Sequence, residues 1–310
     1  IALEASEKAL SLFGQQHGEI DLIKIAPPAR QEIWRKNNVI PRGVDREIVE
    51  IMHRTHAGVD QEPENILSQA VRCALADGWG GSMIATEITD ILFNTPEALR
   101  AKTNLGMLRE DEVNIVIHGH EPTLSEIIVE YSADNELVEY AKSKGAKGIN
   151  IVGICCTANE ILMRQGIAPI GNFLSQEAAI MTGAIELMVV DIQCIMQALG
   201  RLTQNYHTKL VTTSPKCKIP GAIHMEFRDV NGPELAKEII KMAIDNFSER
   251  KGEIHIPDVS SDLVAGFSHE YIRYMLGGRF RESLRPLNDA IIDGRIQGVV
   301  GVVGCNNARH

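Results

Sequence analysis

The cysteines and histidines of this sequence gather where apolar runs end. His118-Gly119-His120 closes the run Val113-Asn114-Ile115-Val116-Ile117. Cys155-Cys156 follows Gly148-Ile149-Asn150-Ile151-Val152. Cys194 lies just past Leu187–Asp191, and Cys305 just past Gly298–Val303. In open α/β sheets, ligands bind beyond the carboxyl ends of the strands. Imidazole and thiolate together suit iron–sulfur, zinc, copper or nickel, and not magnesium or calcium. Taken singly, each residue has a plainer reading. A cysteine often fills core space, and His118 or His120 alone is a hydrogen-bonding residue at a strand end. The coincidence at four strand ends points to metal or redox use, because pockets gather at such loops.

Cys156 carries a further argument. Thr157-Ala158-Asn159-Glu160 fits the S/T-x-x-E capping box, which makes Thr157 the expected N-cap. Cys156 then sits just before a helix N-terminus, whose partial positive charge favours thiolate. Glu160 in the same turn partly offsets that field. Other residues weigh less. His53 and His56 are three apart and share a helix face, but no third ligand is near them in the sequence, so packing or hydrogen bonding is favoured. Cys73 falls on the apolar side of its helix and reads as core. Cys217, between Lys216 and Lys218, reads as a surface-loop thiol. Gly298, Gly301 and Gly304 lie within and at the end of a strand pattern, whereas a dinucleotide fingerprint needs its glycines between strand and helix. No C-x-x-C occurs, so any metal site must be assembled from distant segments.

The elements that must position these residues change character along the chain. Residues 1–110 read as a helical segment. Val44–Met52, Asn65–Ala76 and Ser82–Phe93 carry helix-like apolar spacing, punctuated at Gly78-Trp79-Gly80-Gly81. From about Asp111, strand and helix patterns alternate. Strands are expected at 113–117, 148–152, 187–190 and 209–212. Helices are expected at 125–131, 136–144, 159–164, 176–184 and 195–202. That alternation predicts a Rossmann-like, doubly wound parallel sheet over 111–228, the metal-binding domain. Pro233–Glu249 reads as a connecting amphipathic helix. Val264-Ala265-Gly266 and the strand Gly298–Val303 read as the start of a second Rossmann-like domain over 229–310, cut off partway. Ile1–Ala5 reads as mid-helix and the valine-rich finish as a buried strand, which needs neighbours. The sequence is therefore expected to be a piece of a longer protein.

Composition narrows the class. The 310 residues are 44% hydrophobic and 23% charged, with a net charge of −10, as in an ordinary globular chain. An acidic chain without a basic run offers little footprint for nucleic acid or an anionic membrane surface. No apolar run approaches the roughly 20 residues a spanning helix needs. The first thirty residues lack a signal-peptide layout. Six cysteines in a chain this long do not make a disulfide scaffold, so a reducing, cytoplasmic compartment is expected.

These motifs resemble a known family. His118-Gly119-His120-Glu121-Pro122, Gly153 through Glu160, Val190-Asp191-Ile192-Gln193-Cys194 and Val303-Gly304-Cys305-Asn306-Asn307 resemble the catalytic subunit of anaerobic nickel–iron–sulfur carbon monoxide dehydrogenases. His53-Arg54-Thr55-His56-Ala57-Gly58-Val59-Asp60 and Asp77-Gly78-Trp79-Gly80-Gly81-Ser82 resemble the helical part of the same family. The resemblance implies a nickel–4Fe-4S type cluster with one extra iron. It implies His120 and Cys156 as catalytic ligands of that iron, Cys194 and Cys305 as ligands of cubane irons, and Cys155 as an auxiliary neighbour. It gives His118 no ligand role; hydrogen bonding around the site is its expected part. The implied reaction is the reversible oxidation of CO with water to CO2, two protons and two electrons. By the same resemblance nickel takes CO and the extra iron activates water. Further 4Fe-4S clusters, a homodimer and a ferredoxin-like electron acceptor are implied for the full-length chain. The alternatives are a hybrid-cluster (hydroxylamine reductase) protein and a non-catalytic α/β scaffold.

Overall fold

The computed structural model describes residues 2–228, 230–277, 283–302 and 304. It divides into two compact units, Ile1–Thr95 and Pro96–His310. Among the described residues no helix is long and apolar enough to cross a membrane.

The first unit is helical. Its main helices are Ala2–Gly14, Pro28–Lys36, Val44–Arg54, Pro63–Ala76 and Met83–Phe93. They enclose Leu12, Ile20, Ile23, Val44, Ala76 and Ile84. The glycine run expected to punctuate does not end a helix. Asp77–Ser82 is a π-helical turn that carries the chain from one helix into the next. A Cβ on Gly80 would lie 3.0 Å from Val44 Cγ2, so the turn packs where only glycine fits easily. Glu47, fully buried, accepts from Arg42 Nε at 2.8 Å and Gln69 Nε2 at 2.7 Å. Glu50 joins Arg42 and Arg54.

Among the described residues the second unit contains eight strands: β1 (Leu99–Thr103), β2 (Val113–Gly119), β3 (Ile149–Ile154), β4 (Ala168–Gly171), β5 (Ile185–Val190), β6 (Lys209–Thr212), β7 (Ile223–His224) and β8 (Ser261–Ala265). Six form one sheet in the order β4-β3-β2-β5-β6-β7, and every pairing is parallel. Counted from β2, this is the order 3-2-1-4-5-6 of a doubly wound Rossmann-type sheet. Burial on both faces explains why these strands are mostly apolar. Val113, Ile115 and Ile117 enter one core with Leu187 and Val189, covered by the helices Pro122–Ser132, Asn135–Ser143 and Gly232–Asn246. Val116 enters the opposite core with Val152, Ile154, Met188 and Val190. At the amino end of the sheet, buried Glu186 accepts from the Asn114 amide at 2.6 Å and Arg250 Nε at 2.5 Å. This ties the starts of β2 and β5 together.

Four sequence expectations change. Residues 99–103 are a strand, so the helical stretch ends before residue 110. β1 pairs antiparallel with β8, the segment read as opening a new α/β domain. Both are short, with one exposed face and charged residues at Arg100, Lys102 and Asp262, so no apolar run announces them. Gly232–Asn246, read as a connector, buries Leu235, Ala236, Ile239, Ile240, Ala243 and Ile244 against the sheet. Finally, residues 298–302 form no strand. Val299, Val300 and Val302 are 89%, 88% and 93% exposed. A parallel strand needs a ladder partner, and none of the described residues pairs there.

Both tryptophans, Trp34 and Trp79, lie in the first unit with ring centroids 5.9 Å apart. Their emission therefore reports on that unit. Burial pushes the Glu50 carboxyl up, but Arg54 and Arg42 outweigh it and hold it at about 2, below the ordinary 4.5. A depressed carboxyl stabilises above its unfolded pKa and loses that contribution as pH falls. The unfolding free energy from urea titrations read by tryptophan emission should fall between pH 4.5 and about 2, by up to about 3 kcal/mol from this group. Glu50→Gln should flatten that slope.

Candidate metal centre

The sheet brings the chemistry-bearing residues together at its carboxyl edge. In the β2–β3 register His118 lies beside Ile154, and a final bridge pairs Gly119 with Cys155. His120 and Cys156 therefore leave adjacent strands at the same level. On the other side of β2, His118 pairs with Val190 of β5, and the Asp191 amide donates to the His118 carbonyl at 3.1 Å. The edge between β2 and β5 is the switch point of this strand order, where such sheets bind ligands. The loops there adopt left-handed backbone at Gly119 (φ 134°), Cys155 (φ 66°), Gln193 (φ 65°) and Cys194 (φ 54°). For non-glycine residues that conformation is costly and persists only where surroundings impose it.

Asp191 imposes much of it. Its Oδ1 accepts from the His120 amide at 2.6 Å and from the Ile192 amide. Its Oδ2 accepts from the Glu121 amide at 3.1 Å and from Thr157 Oγ1 at 3.0 Å. One carboxylate thus joins the loops that carry His120, Cys156 and Cys194. Burial pushes its carboxyl up to about 6, against the pull of these hydrogen bonds. A Cβ at Gly119 would sit 1.7 Å from Asp191 Oδ1, which explains the glycine between the two histidines.

His120 Nδ1 lies 3.2 Å from the Ile192 carbonyl. A carbonyl only accepts, so Nδ1 carries the proton and the Nε2 lone pair is left for a ligand. Nε2 faces Cys194 Sγ at 3.8 Å. His118, still within β2, is fully buried, with Nε2 3.0 Å from Gln176 Oε1. Burial holds its imidazole below the usual histidine range. Cys155 is buried in the core with Val152, Ala168 and Met188, while Cys156 is exposed. Cys305 lies outside the described residues.

The capping expectation is corrected. The helix starts at Cys155, not after Thr157, and its N-cap is Ile154. Thr157 is recruited by Asp191 instead. Cys156 falls inside the first turn, where the helix field is strongest, and the Glu160 carboxylate is engaged by Arg164 at 2.7 Å. His53 and His56 do not share a helix face, because the helix ends at Arg54; both are exposed. The Cys73 thiol donates to the Glu47 carbonyl at 3.1 Å, as a packed residue does. Cys217 is no outlying surface thiol. Burial and the nearby Asp191 carboxylate push its pKa up, and the Gln193 amide hydrogen-bonds it. Its flanking lysines hid that position. Asp191 was also unassigned in sequence; its signal was an acid placed directly after the apolar run Leu187–Val190.

Among the described residues, no three His, Cys, Asp or Glu side chains converge to hold a single metal ion. A cluster makes a different demand, since each metal takes its own protein donor. The oriented imidazole nitrogen of His120, the facing Cys194 thiol and the helix-start Cys156 fit that demand in donor type and tautomer.

The Prismane/CO dehydrogenase family matches residues 1–310. The chain belongs to this family. Within the family it is 52% identical to carbon monoxide dehydrogenase 1 of Methanosarcina mazei over 310 residues, all of this chain and 49% of that protein. It is 45% identical to the carbon monoxide dehydrogenase/acetyl-CoA synthase subunit beta of Moorella thermoacetica over 316 residues, all of this chain and 46% of that protein. A nickel-free carbon monoxide dehydrogenase structure from Thermococcus sp. AM4 superposes with a TM-score of 0.94 at 49% identity, covering 99% of this chain and 48% of that one. The chain spans about half the length of the relatives it matches.

For a family member built this way, Asp191→Ala should destabilise the second unit by about 2–4 kcal/mol, because it strands several buried donors. Gly119→Ala should act in the same direction through the clash with Asp191. Chemical denaturation followed by far-UV circular dichroism measures both. An Asp191→Ala protein as stable as its parent would remove the carboxylate from its central place.

Proposed function

We propose that this chain forms part of an anaerobic carbon monoxide dehydrogenase, catalysing CO + H2O → CO2 + two protons + two electrons, reversibly. In this reading the full-length protein is a homodimer in the cytoplasm. It carries further 4Fe-4S clusters and passes electrons to a ferredoxin-like partner. The bound nickel–iron–sulfur cluster supplies the redox and Lewis-acid chemistry. This chain's residues hold and orient. His120 offers Nε2 because Ile192 takes its Nδ1 proton. Cys156 offers its sulfur from a helix N-terminus, which favours the thiolate. Cys194, and Cys305 by resemblance alone, complete the ligands this chain contributes. Cys155 stays auxiliary, buried behind them, and His118 supports from the face of β2 that it shares with Val116.

The observation that carries the reading is His120 Nε2 facing Cys194 Sγ at 3.8 Å at the switch point of the sheet. The relatives' names favour the dehydrogenase over the hybrid-cluster alternative and over a scaffold without activity. In the full-length protein, His120→Ala should lower bound iron and abolish most CO oxidation, measured anaerobically with a dye acceptor alongside metal analysis. Parental activity with full iron content in that variant would defeat the assignment. Nickel bound in step with iron separates the dehydrogenase from a hybrid-cluster protein.

A further inference from the structure

The Cys194 turn is held from two sides, and Asp191 accounts for only one of them. Gln193 and Cys194 both sit in left-handed backbone, at φ 65° and 54°. Two successive non-glycine residues in that region do not hold themselves there. On the side away from Asp191 lies Gln176, fully buried at the start of the helix Gln176–Met181. Its Nε2 donates to the Cys194 carbonyl at 3.1 Å and to the Phe173 carbonyl at 2.7 Å. Its Oε1 accepts from the Met196 amide at 3.0 Å and lies 3.0 Å from His118 Nε2.

These four contacts use the whole capacity of a primary amide. They also fix its orientation. Both N–H groups face carbonyls, which only accept, so Oε1 must face the Met196 amide and His118. His118 is then the Nε2–H tautomer and donates. The chain of constraint runs from β2, through His118 and Gln176, into the carboxyl-terminal side of the Cys194 turn.

We propose that Gln176 is a positioning residue that sets Cys194 toward His120 before metal arrives, so that its loss impairs cluster capture more than folding. The proposal rests on reading Cys194 as a cluster ligand. A ligand held in place in the apo state does not have to be ordered at the moment of binding. His118, without a ligand role of its own, gains one here as the anchor of Gln176.

The test uses the full-length protein with Gln176→Met, which keeps the volume and removes all four hydrogen bonds, and Gln176→Glu, which keeps an acceptor toward Met196 and His118 but loses the donor to Cys194. The first readout is the rate of anaerobic iodoacetamide alkylation at Cys194 in metal-free protein, mapped by mass spectrometry. It should rise about tenfold in Gln176→Met, as expected for a lost pair of hydrogen bonds, while the core-packed Cys155 stays at its parental rate. The second readout is iron content after limited reconstitution. It should fall in Gln176→Met and recover with excess iron, nickel and sulfide, since the ligands remain. An unchanged Cys194 rate in both variants would overturn the proposal. So would Cys194 and Cys155 rising together in both, which would mean general loosening. Cys194→Ala separates the two readings. If it keeps full iron, the ligand reading fails. If it loses iron that excess metal does not restore while Gln176→Met keeps its iron, only the positioning role fails.

Discussion

The carboxyl edge of the sheet depends on one buried carboxylate. Asp191 accepts from the amides of His120, Glu121 and Ile192 and from Thr157 Oγ1. Three chain segments that otherwise diverge from adjacent strands are thereby fixed to one point. A buried carboxylate is expensive unless it is well hydrogen-bonded, and four donors satisfy it. The same arrangement dictates its surroundings. Gly119 must lack a side chain because Asp191 Oδ1 occupies that space. The left-handed residues Cys155 after β3 and Gln193 and Cys194 after β5 lie next to the segments that this carboxylate holds through Thr157 and Ile192.

The sheet supplies the frame for this arrangement. Alternate residues of β2 face two separate cores, so Ile115 and Ile117 anchor one side while Val116 anchors the other. His118 shares the side of Val116 and meets Gln176; His120, past the strand end, turns into the edge and meets Cys194. Two histidines two residues apart thus have separate tasks, one inside the protein and one at the rim. At the opposite end, Glu186 and Arg250 hold the starts of β2 and β5. The strands are pinned at both ends, and their register carries that precision to the site.

Much of this was legible in the sequence. The runs 113–117, 148–152, 187–190 and 209–212 were visible as strands because burial on both faces makes them predominantly apolar. Helices such as Val44–Arg54 and Gly232–Asn246 were visible because one buried face imposes a 3.6-residue period. β1, and its pairing with β8, were not visible: each strand is short, half-exposed and charged, and has meaning only beside the other. The start of the helix at Cys155 was misplaced for a similar reason. Thr157 fits a capping box locally, but a stronger acceptor, Asp191, lies 34 residues away in the chain and claims its hydroxyl.

The sequence by itself determined the donor types, their positions after apolar runs, and the α/β class, because each depends on local composition and periodicity. Only the tertiary structure decided which donors meet and in what state. Strand order places His120 and Cys194 on either side of the switch point, although 74 positions separate them. The Ile192 carbonyl selects the tautomer of His120, and the Gln176 amide selects that of His118. Hydrogen bonds of this kind join groups far apart in the chain, so no spacing within the sequence encodes them; the packing of the sheet brings them within reach.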